Sequence, residues 1–389
     1  MVKEAPSLFF LFRSFLKIGI TSFGGYTALV AVLQQEFVHK KQLIPETLVL
    51  DSLSVASILP GPLAVNIVAF IGFRLRGWPG AFISLVAVLL PSVFLMILLA
   101  ELYISFQYIV QVESFIKGVI PVIIALILSV SYHMSQKNIV HTWQKVVFVC
   151  MLVVSFFVKG HMVIMGMMAI GGVAGYFLGD RNPIQFRESH ERSIGYIMAG
   201  LFVVCCFYLV VYFFFSHTIQ LEAFTTFSQV SLTLFGGGYV MIPILHDLIV
   251  DRLAWLTSDE FTRAIAFGQI TPGPILVSAT YIGYKIGGLS GAILSTVGIF
   301  VPAALVMVGV GNAFDKLKQY DFVPAIIAGI RPVVIALISY SAYVLFTSAG
   351  QTWLMAFSVI GAFLVVTFTQ INYLFLILLM GIAGILIFG

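Results

Sequence analysis

Two tripeptides, Pro60-Gly61-Pro62 and Pro272-Gly273-Pro274, interrupt long apolar stretches of the chain. Each proline removes a backbone donor and crowds the carbonyl one turn behind it, so no helix runs through such a site undisturbed. The second proline suits the first position of a new helix, where its missing N–H costs nothing. Pro62 and Pro274 are therefore expected to start half-helices. Phe23-Gly24-Gly25 and Phe235-Gly236-Gly237 act similarly, because glycine accepts positive φ and close approach. A helix N-terminus presents free N–H groups and about half a positive charge. Four such termini converging near the middle of a membrane would cage an anion without one lysine or arginine. The bland reading is that all four are kinks with packing roles, but their occurrence at matching places in two repeats favours a site.

Polar residues beside the breaks could complete the cage: Thr21, Ser22, Ser57 and Asn66 near the first pair, and Thr233, Gln269, Thr271 and Ser278 near the second. Hydroxyls and amides donate to an oxyanion without the desolvation cost of an ion. Each alone can instead bond back to its own helix. Arg331 precedes Pro332 inside an apolar run, where an arginine is a functional position by default. If the helix starts at Pro324, Arg331 snorkels to the interface instead. Glu36 follows the first interrupted run. A solvated loop carboxylate is the plain reading there, and a gate or proton-coupling site the functional one. Lys17 and Lys117 read as interfacial anchors, and Glu101 and Glu113 as solvated. His133, His141, His161, His217 and His246 fall at loop edges.

These residues need elements to hold them, and composition says which kind. Of 389 residues, 60% are apolar and 9% charged, with a mean hydropathy of +1.09. An ordinary soluble domain has about 25% charged residues. So few charges cannot cover a soluble surface, which excludes a soluble enzyme, a disordered scaffold and a nucleic-acid binder. An intramembrane enzyme would need a base or nucleophile with partners at depth, and no His/Asp/Glu cluster falls inside a run. Cys150, Cys205 and Cys206 lie in apolar runs and read as small buried hydrophobes, with no disulfide framework. No metal-ligand spacing occurs, and no cofactor is expected. The basic N-terminus lacks a small-residue cleavage site and reads as retained structure.

A membrane-spanning helix needs about 20 apolar residues. Runs at 79–100, 114–132, 195–215, 288–311 and 322–346 meet that length, and 146–158 with 161–179 and 352–369 with 371–388 read as helical hairpins. The expected fold is an all-α polytopic membrane protein. It is also duplicated. FLKIGITSFGG at 15–25 realigns with FSQVSLTLFGG at 227–237, and the two Pro-Gly-Pro tripeptides coincide in the same register. Gly77, Gly80 and Pro91 then meet Gly288, Gly291 and Pro302, and PVIIALI at 121–127 meets PVVIALI at 332–338. The expected division is a first repeat at 1–185, a linker with an extra membrane helix at 186–221, and a second repeat at 222–389.

Lysine and arginine placement orients the halves. With the FGG and PGP segments taken as re-entrant, Lys3, Arg13, Lys17, Lys40, Lys41, Arg74, Arg76, Lys137, Lys145, Arg181, Arg187, Arg192, Lys316 and Lys318 share one side. Lys159, Arg252, Arg263 and Lys285 take the other. Letting the FGG segments span singly makes the halves parallel and sorts the charges less well. Two inverted halves with a cytoplasmic N-terminus are therefore expected.

FGG, a run ending Gln35-Glu36-Phe37-Val38, then LPGP, and TPGP in a second copy resemble the chromate ion transporter family over nearly the whole chain. The resemblance implies a bacterial or archaeal plasma-membrane carrier that expels chromate and confers resistance to it, with sulfate as the look-alike anion. It carries over to Phe23, Gly24, Gly25, Glu36, Pro60, Gly61 and Pro62, and to Gly236, Gly237, Pro272, Gly273 and Pro274. Tyr26 departs from the Pro that many members carry after FGG, and Asn66 stands where Gln is common nearby. The partners implied are a chromate- or sulfate-like oxyanion and the lipid bilayer, with no nucleic acid; a homodimer is an allowed assembly.

Overall fold

The computed structural model of the chain describes residues 6–22, 25–56, 59–106, 109–158, 160–179, 218–233, 238–317, 322–350, 352–369, 371 and 373–388. Every regular element among them is helical. Lipid offers the backbone no hydrogen bonds, so apolar runs of this length must satisfy their own carbonyls and amides. Four helical stretches among the described residues, Leu63–Phe106, Val110–Asn138, Ile275–Gly309 and Pro324–Ser348, are long and apolar enough to cross a membrane. Phe82, Phe94, Phe157 and Leu386 stand out from their helices, each more than half exposed, as side chains facing lipid do. Cys150 is likewise exposed rather than buried. An apolar run alone does not tell a lipid-facing position from a core one. Cys205, Cys206 and the run 195–215 lie outside the described residues.

The described residues form two compact units, and each draws on both repeats. The first gathers those within Met1–Ala100, Phe186–Gly238 and Thr271–Leu317. It holds α1 (Leu8–Thr21), α2 (Gly25–Leu33) with a π-helical turn at Gln34–Lys40, α3 (Glu46–Ala56), most of α4 (Leu63–Phe106), α8 (Ile219–Thr233) and α11 (Ser278–Leu317). The Ser7 hydroxyl starts α1 by accepting from the Phe10 amide at 3.2 Å.

α4 and α11 are each two helices joined at a sharp turn. Gly77 has φ 63° and Gly288 φ 62°, at aligned positions. Beyond each turn the chain doubles back so closely that a Cβ on Gly72 would run into Gly80 and Ser84, and one on Gly283 into Gly291 and Ser295. The limb 63–75 is roughly 20 Å long at 1.5 Å per residue, short of the ~30 Å hydrocarbon core. The tripeptides dock reciprocally. Gly61, with φ 105°, lies against Ala303 of the second repeat, and Gly273, with φ 107°, against Ser92 of the first. Ala303 follows Pro302 and Ser92 follows Pro91, which the sequence alignment pairs.

The second unit comprises the described residues of Glu101–Gln185, Tyr239–Ile270 and Lys318–Gly389. Its elements are α5 (Val110–Asn138), α6 (Thr142–Phe157), α7 (His161–Leu178), α9 (Met241–His246) with a π-helical turn at Asp247–Arg252, α10 (Ser258–Ile270), α12 (Phe322–Ser348), α13 (Trp353–Phe368) and α14 (Tyr373–Phe388). Glycines let these helices touch backbone to backbone, as membrane helices commonly do. Gly118 of α5 meets Met380 and Gly384 of α14, and Gly329 of α12 meets Gly171 and Gly175 of α7. This pairing is reciprocal too. The four helices of the expected hairpins form, as α6, α7, α13 and α14, but α6 and α7 pack mainly on α12, and α13 and α14 on α5, rather than on each other.

The two tripeptide glycines should differ in tolerance. Alanine at either is strained by its left-handed φ, at a cost of about 1–3 kcal/mol. At Gly61 the new methyl also collides with Ala303, whereas at Gly273 the nearest atom is the Ser92 hydroxyl at 3.2 Å. Gly61→Ala should therefore lower the melting temperature of the purified protein more than Gly273→Ala, and adding Ala303→Gly should recover only the difference. Equal melting temperatures would contradict this packing.

Candidate functional site

The first tripeptide separates α3, which ends at Ala56, from α4, which starts at Leu63. The Asn66 amide N–H donates to the Pro62 carbonyl at 3.0 Å and opens the new helix. The Asn66 side chain turns back, and its Nδ2 donates to the Pro60 carbonyl at 3.0 Å. One carbonyl freed by the break is thereby satisfied. The second tripeptide follows Ile270, the end of α10, and the chain restarts as a short 3-10 turn at Ile275–Val277 leading into α11. There the Val277 N–H donates to the Pro274 carbonyl at 3.0 Å. The Gly273 N–H donates to the Ser22 carbonyl at 2.7 Å. A break in the second repeat is thus tied to the edge of the FGG segment in the first.

Asn66 and Ser278 occupy the same position in the two repeats, one helical turn beyond Pro62 and Pro274. Both are fully buried. Asn66 Oδ1 and Ser278 Oγ have no hydrogen-bond partner among the described residues. An unsatisfied buried polar atom costs about 1–3 kcal/mol, and these two, like Ser84 Oγ and Ser295 Oγ at another matched position, have hydrogen-bonding capacity to spare. The Ser278 hydroxyl and the second Nδ2–H of Asn66 can donate to an oxyanion, and Asn66 Oδ1 can accept from water or a protonated anion.

The other candidates divide. Pro62, Pro272, Pro274 and Thr271 are buried with this pair in the first unit, and Pro60 is half-buried. Gln269, in the second unit, is buried with an unpartnered Nε2. The Thr21 and Thr233 hydroxyls bond back to the carbonyls of Lys17 at 2.9 Å and Gln229 at 2.7 Å, the bland arrangement. The Ser22 hydroxyl does the same toward Ile18, while its carbonyl takes the Gly273 bond. Arg331 sits within α12 with an exposed side chain. Gly25 begins α2. Phe23, Gly24, Ser57, Gly236 and Gly237 lie outside the described residues.

Glu36 is not the solvated loop carboxylate of the plain reading. It is buried in the π-helical turn, and its two oxygens meet Lys17 Nζ at 3.0 Å and Lys41 Nζ at 3.2 Å. Lys41 also donates to Ser14 Oγ at 2.7 Å and lies over the Phe10 ring at 4.4 Å. Burial pushes the Glu36 carboxyl up, but hydrogen bonds and charge from Lys17 and Lys41 outweigh it and hold the group below the usual carboxylate range. Lys17 is therefore an ion-pair partner rather than a simple anchor, while Lys117 pairs with Glu113 at 2.8 Å on a helix surface. A network at His246 was also missed. Its Nδ1 faces Asp251 at 3.4 Å and its Nε2 meets Ser258 Oγ at 3.1 Å. His246 closes α9, immediately before the π-helical turn Asp247–Arg252 that carries Asp251, and nothing in the sequence announced that turn.

An all-helical membrane protein in two homologous halves, with its longest helices fit to cross a bilayer, belongs to the class of multi-pass membrane transporters. The sequence model of the chromate transporter family matches residues 9–176 and 221–385, and the chain belongs to that family. It is 30% identical over 323 residues to an uncharacterised transporter of Methanocaldococcus jannaschii, covering 82% of this chain and 79% of the relative. It is 26% identical over 391 residues to the chromate transport protein of Pseudomonas aeruginosa, covering 97% and 92%. With the chromate transport protein of Cupriavidus metallidurans the identity is 26% over 328 residues, covering 83% and 78%. No solved structure matches the chain.

Because the folded-state carboxyl of Glu36 is depressed, its contribution to stability is complete above the ordinary carboxylate range and fades as pH falls through its own lower value. Glu36→Gln should thus melt below the wild type at pH 7, and the gap should narrow on acidification. A gap that is constant with pH would show that the ion pairs do not stabilise the fold.

Proposed function

We propose that the protein exports chromate across the plasma membrane and thereby confers chromate resistance. In this reading residues 1–185 and 222–389 are repeats of opposite orientation, joined by 186–221, and the anion is held where their interrupted helices meet. Inverted-repeat carriers with discontinuous helices hold substrate at such a point near the midplane. The observation that carries the reading is the matched pair Asn66 and Ser278, buried with unpartnered polar atoms one turn beyond each Pro-Gly-Pro. Helix-terminal amides supply the positive field there, and no cation need be buried with the anion. Family membership and the names of two similar proteins support chromate as the cargo. The protein's work is carriage, with no bond made or broken in the substrate.

Export is downhill in the electrical sense. A charge leaving a negative interior gains about 2.3 kcal/mol per 100 mV, or about 4.6 kcal/mol for a dianion. Glu36 is the group proposed to gate or couple the movement. The second reading, a carrier for sulfate, is tested in the same experiment.

Purified protein in liposomes should carry labelled chromate, faster under a potential that drives anions outward, with sulfate a weaker competitor. Sulfate carried in preference to chromate would overturn the substrate assignment. Since a hydrogen bond to a charged group contributes about 1.5–3 kcal/mol, Ser278→Ala should raise the KM for chromate roughly tenfold or more. Cysteine labels placed in 34–46 and 246–263 should react from opposite sides of the membrane; reaction from one side would end the inverted arrangement.

A further inference from the structure

We propose that Arg13, Lys17 and Lys41 form a second oxyanion site, in which the Glu36 carboxylate stands in for the anion until one arrives. Its role as a loading pocket rests on the transport reading above; its capacity to bind does not. The three cations and Glu36 line a cavity of about 550 Å³, together with Thr21 and Ser14. Arg13, Lys17 and Thr21 follow one another at single-turn spacing along one face of α1. Three cations against one carboxylate leave two positive charges uncompensated, the complement of a doubly charged tetrahedral anion.

The two lysines are held differently. Lys41 is only 26% exposed and is fixed by Ser14 Oγ and by the Phe10 ring. Lys17 is 56% exposed and spends one donor on Glu36, whose side chain is 8% exposed behind it. Arg13 is exposed and has no carboxylate partner among the described residues. An ammonium carries three donors and a guanidinium five in a planar fork, so Lys17 and Arg13 together can grip a tetrahedral anion at the mouth. The incoming charge competes with Glu36 for Lys17, while Lys41 retains the carboxylate. Thr21, on the wall of the pocket, precedes Ser22, whose carbonyl holds the Gly273 amide. The pocket therefore adjoins one of the helix breaks directly. A free dianion and the phosphate of an anionic lipid headgroup share this chemistry.

Equilibrium binding of labelled inorganic chromate, with sulfate as competitor, to the full chain in nanodiscs tests the site. In phosphatidylcholine discs, Lys17→Gln and Arg13→Gln should each weaken a binding component about tenfold, and Lys17→Arg should restore it. Glu36→Gln should strengthen the same component about tenfold, because the competing carboxylate is gone; a purely structural Glu36 gives the opposite sign. Discs containing phosphatidylglycerol separate the sources. An unchanged chromate component identifies a free dianion as occupant, and loss of that component to the lipid identifies a headgroup phosphate. Chromate binding that is indifferent to Lys17, Arg13 and Glu36 in both lipids would overturn the proposal, whatever the liposomes show of export. Conversely, absent export with the Lys17 and Glu36 effects intact removes the transport reading and leaves the pocket standing.

Discussion

Hydrocarbon supplies neither donors nor acceptors, and every feature of this chain answers to that constraint. A helix satisfies its own backbone, so the chain is built from helices. Wherever a helix stops, other parts of the protein must take over. At Pro60 the Asn66 side chain does so, and at Gly273 the Ser22 carbonyl does so. Among the buried polar atoms left without a partner are Asn66 Oδ1 and Ser278 Oγ, at one position of two repeats, and Ser84 Oγ and Ser295 Oγ at another. Of these pairs, only Asn66 and Ser278 stand one turn beyond a Pro-Gly-Pro break.

The same constraint explains where charge is found. Glu36 is buried only because two lysines converge on it, one from α1 and one just beyond the π-helical turn. A buried carboxylate without such partners would shed its charge rather than keep it. The arrangement stores positive charge at a place that an anion can reach, while the residues around the tripeptides are uncharged. The two anion sites proposed above thus differ in kind: paired ions in one, uncharged polar groups in the other.

Much of this was legible in the order of residues. The tripeptides located the ends of α3 and α10, because proline carries unambiguous backbone meaning, whereas Gly77 and Gly288 marked the duplication without announcing the turns that they make. Asn66 and Ser278 stood among eight polar candidates, but nothing in the sequence separated them from Thr21 and Thr233, whose hydroxyls turn to their own helices. That choice depends on rotamers. Glu36 was misjudged since its partners come from a distant turn of α1 and from a π-helical segment, whose wider winding no apolar periodicity announces. Cys150 failed for a related reason: lipid and core are equally apolar, so composition cannot say which a side chain faces.

The reciprocal docking of the tripeptides has a consequence for biogenesis. Gly61 is complete only when Ala303 has been made, roughly 240 residues later. At about 5–20 residues per second of synthesis, that is on the order of ten seconds or more. Throughout that interval the first half has the Asn66 bond to the Pro60 carbonyl to hold its break, but not the Ala303 surface that packs against Gly61. Until the second half arrives, that face of Gly61 must be covered by something else, such as the translocon, lipid or local water.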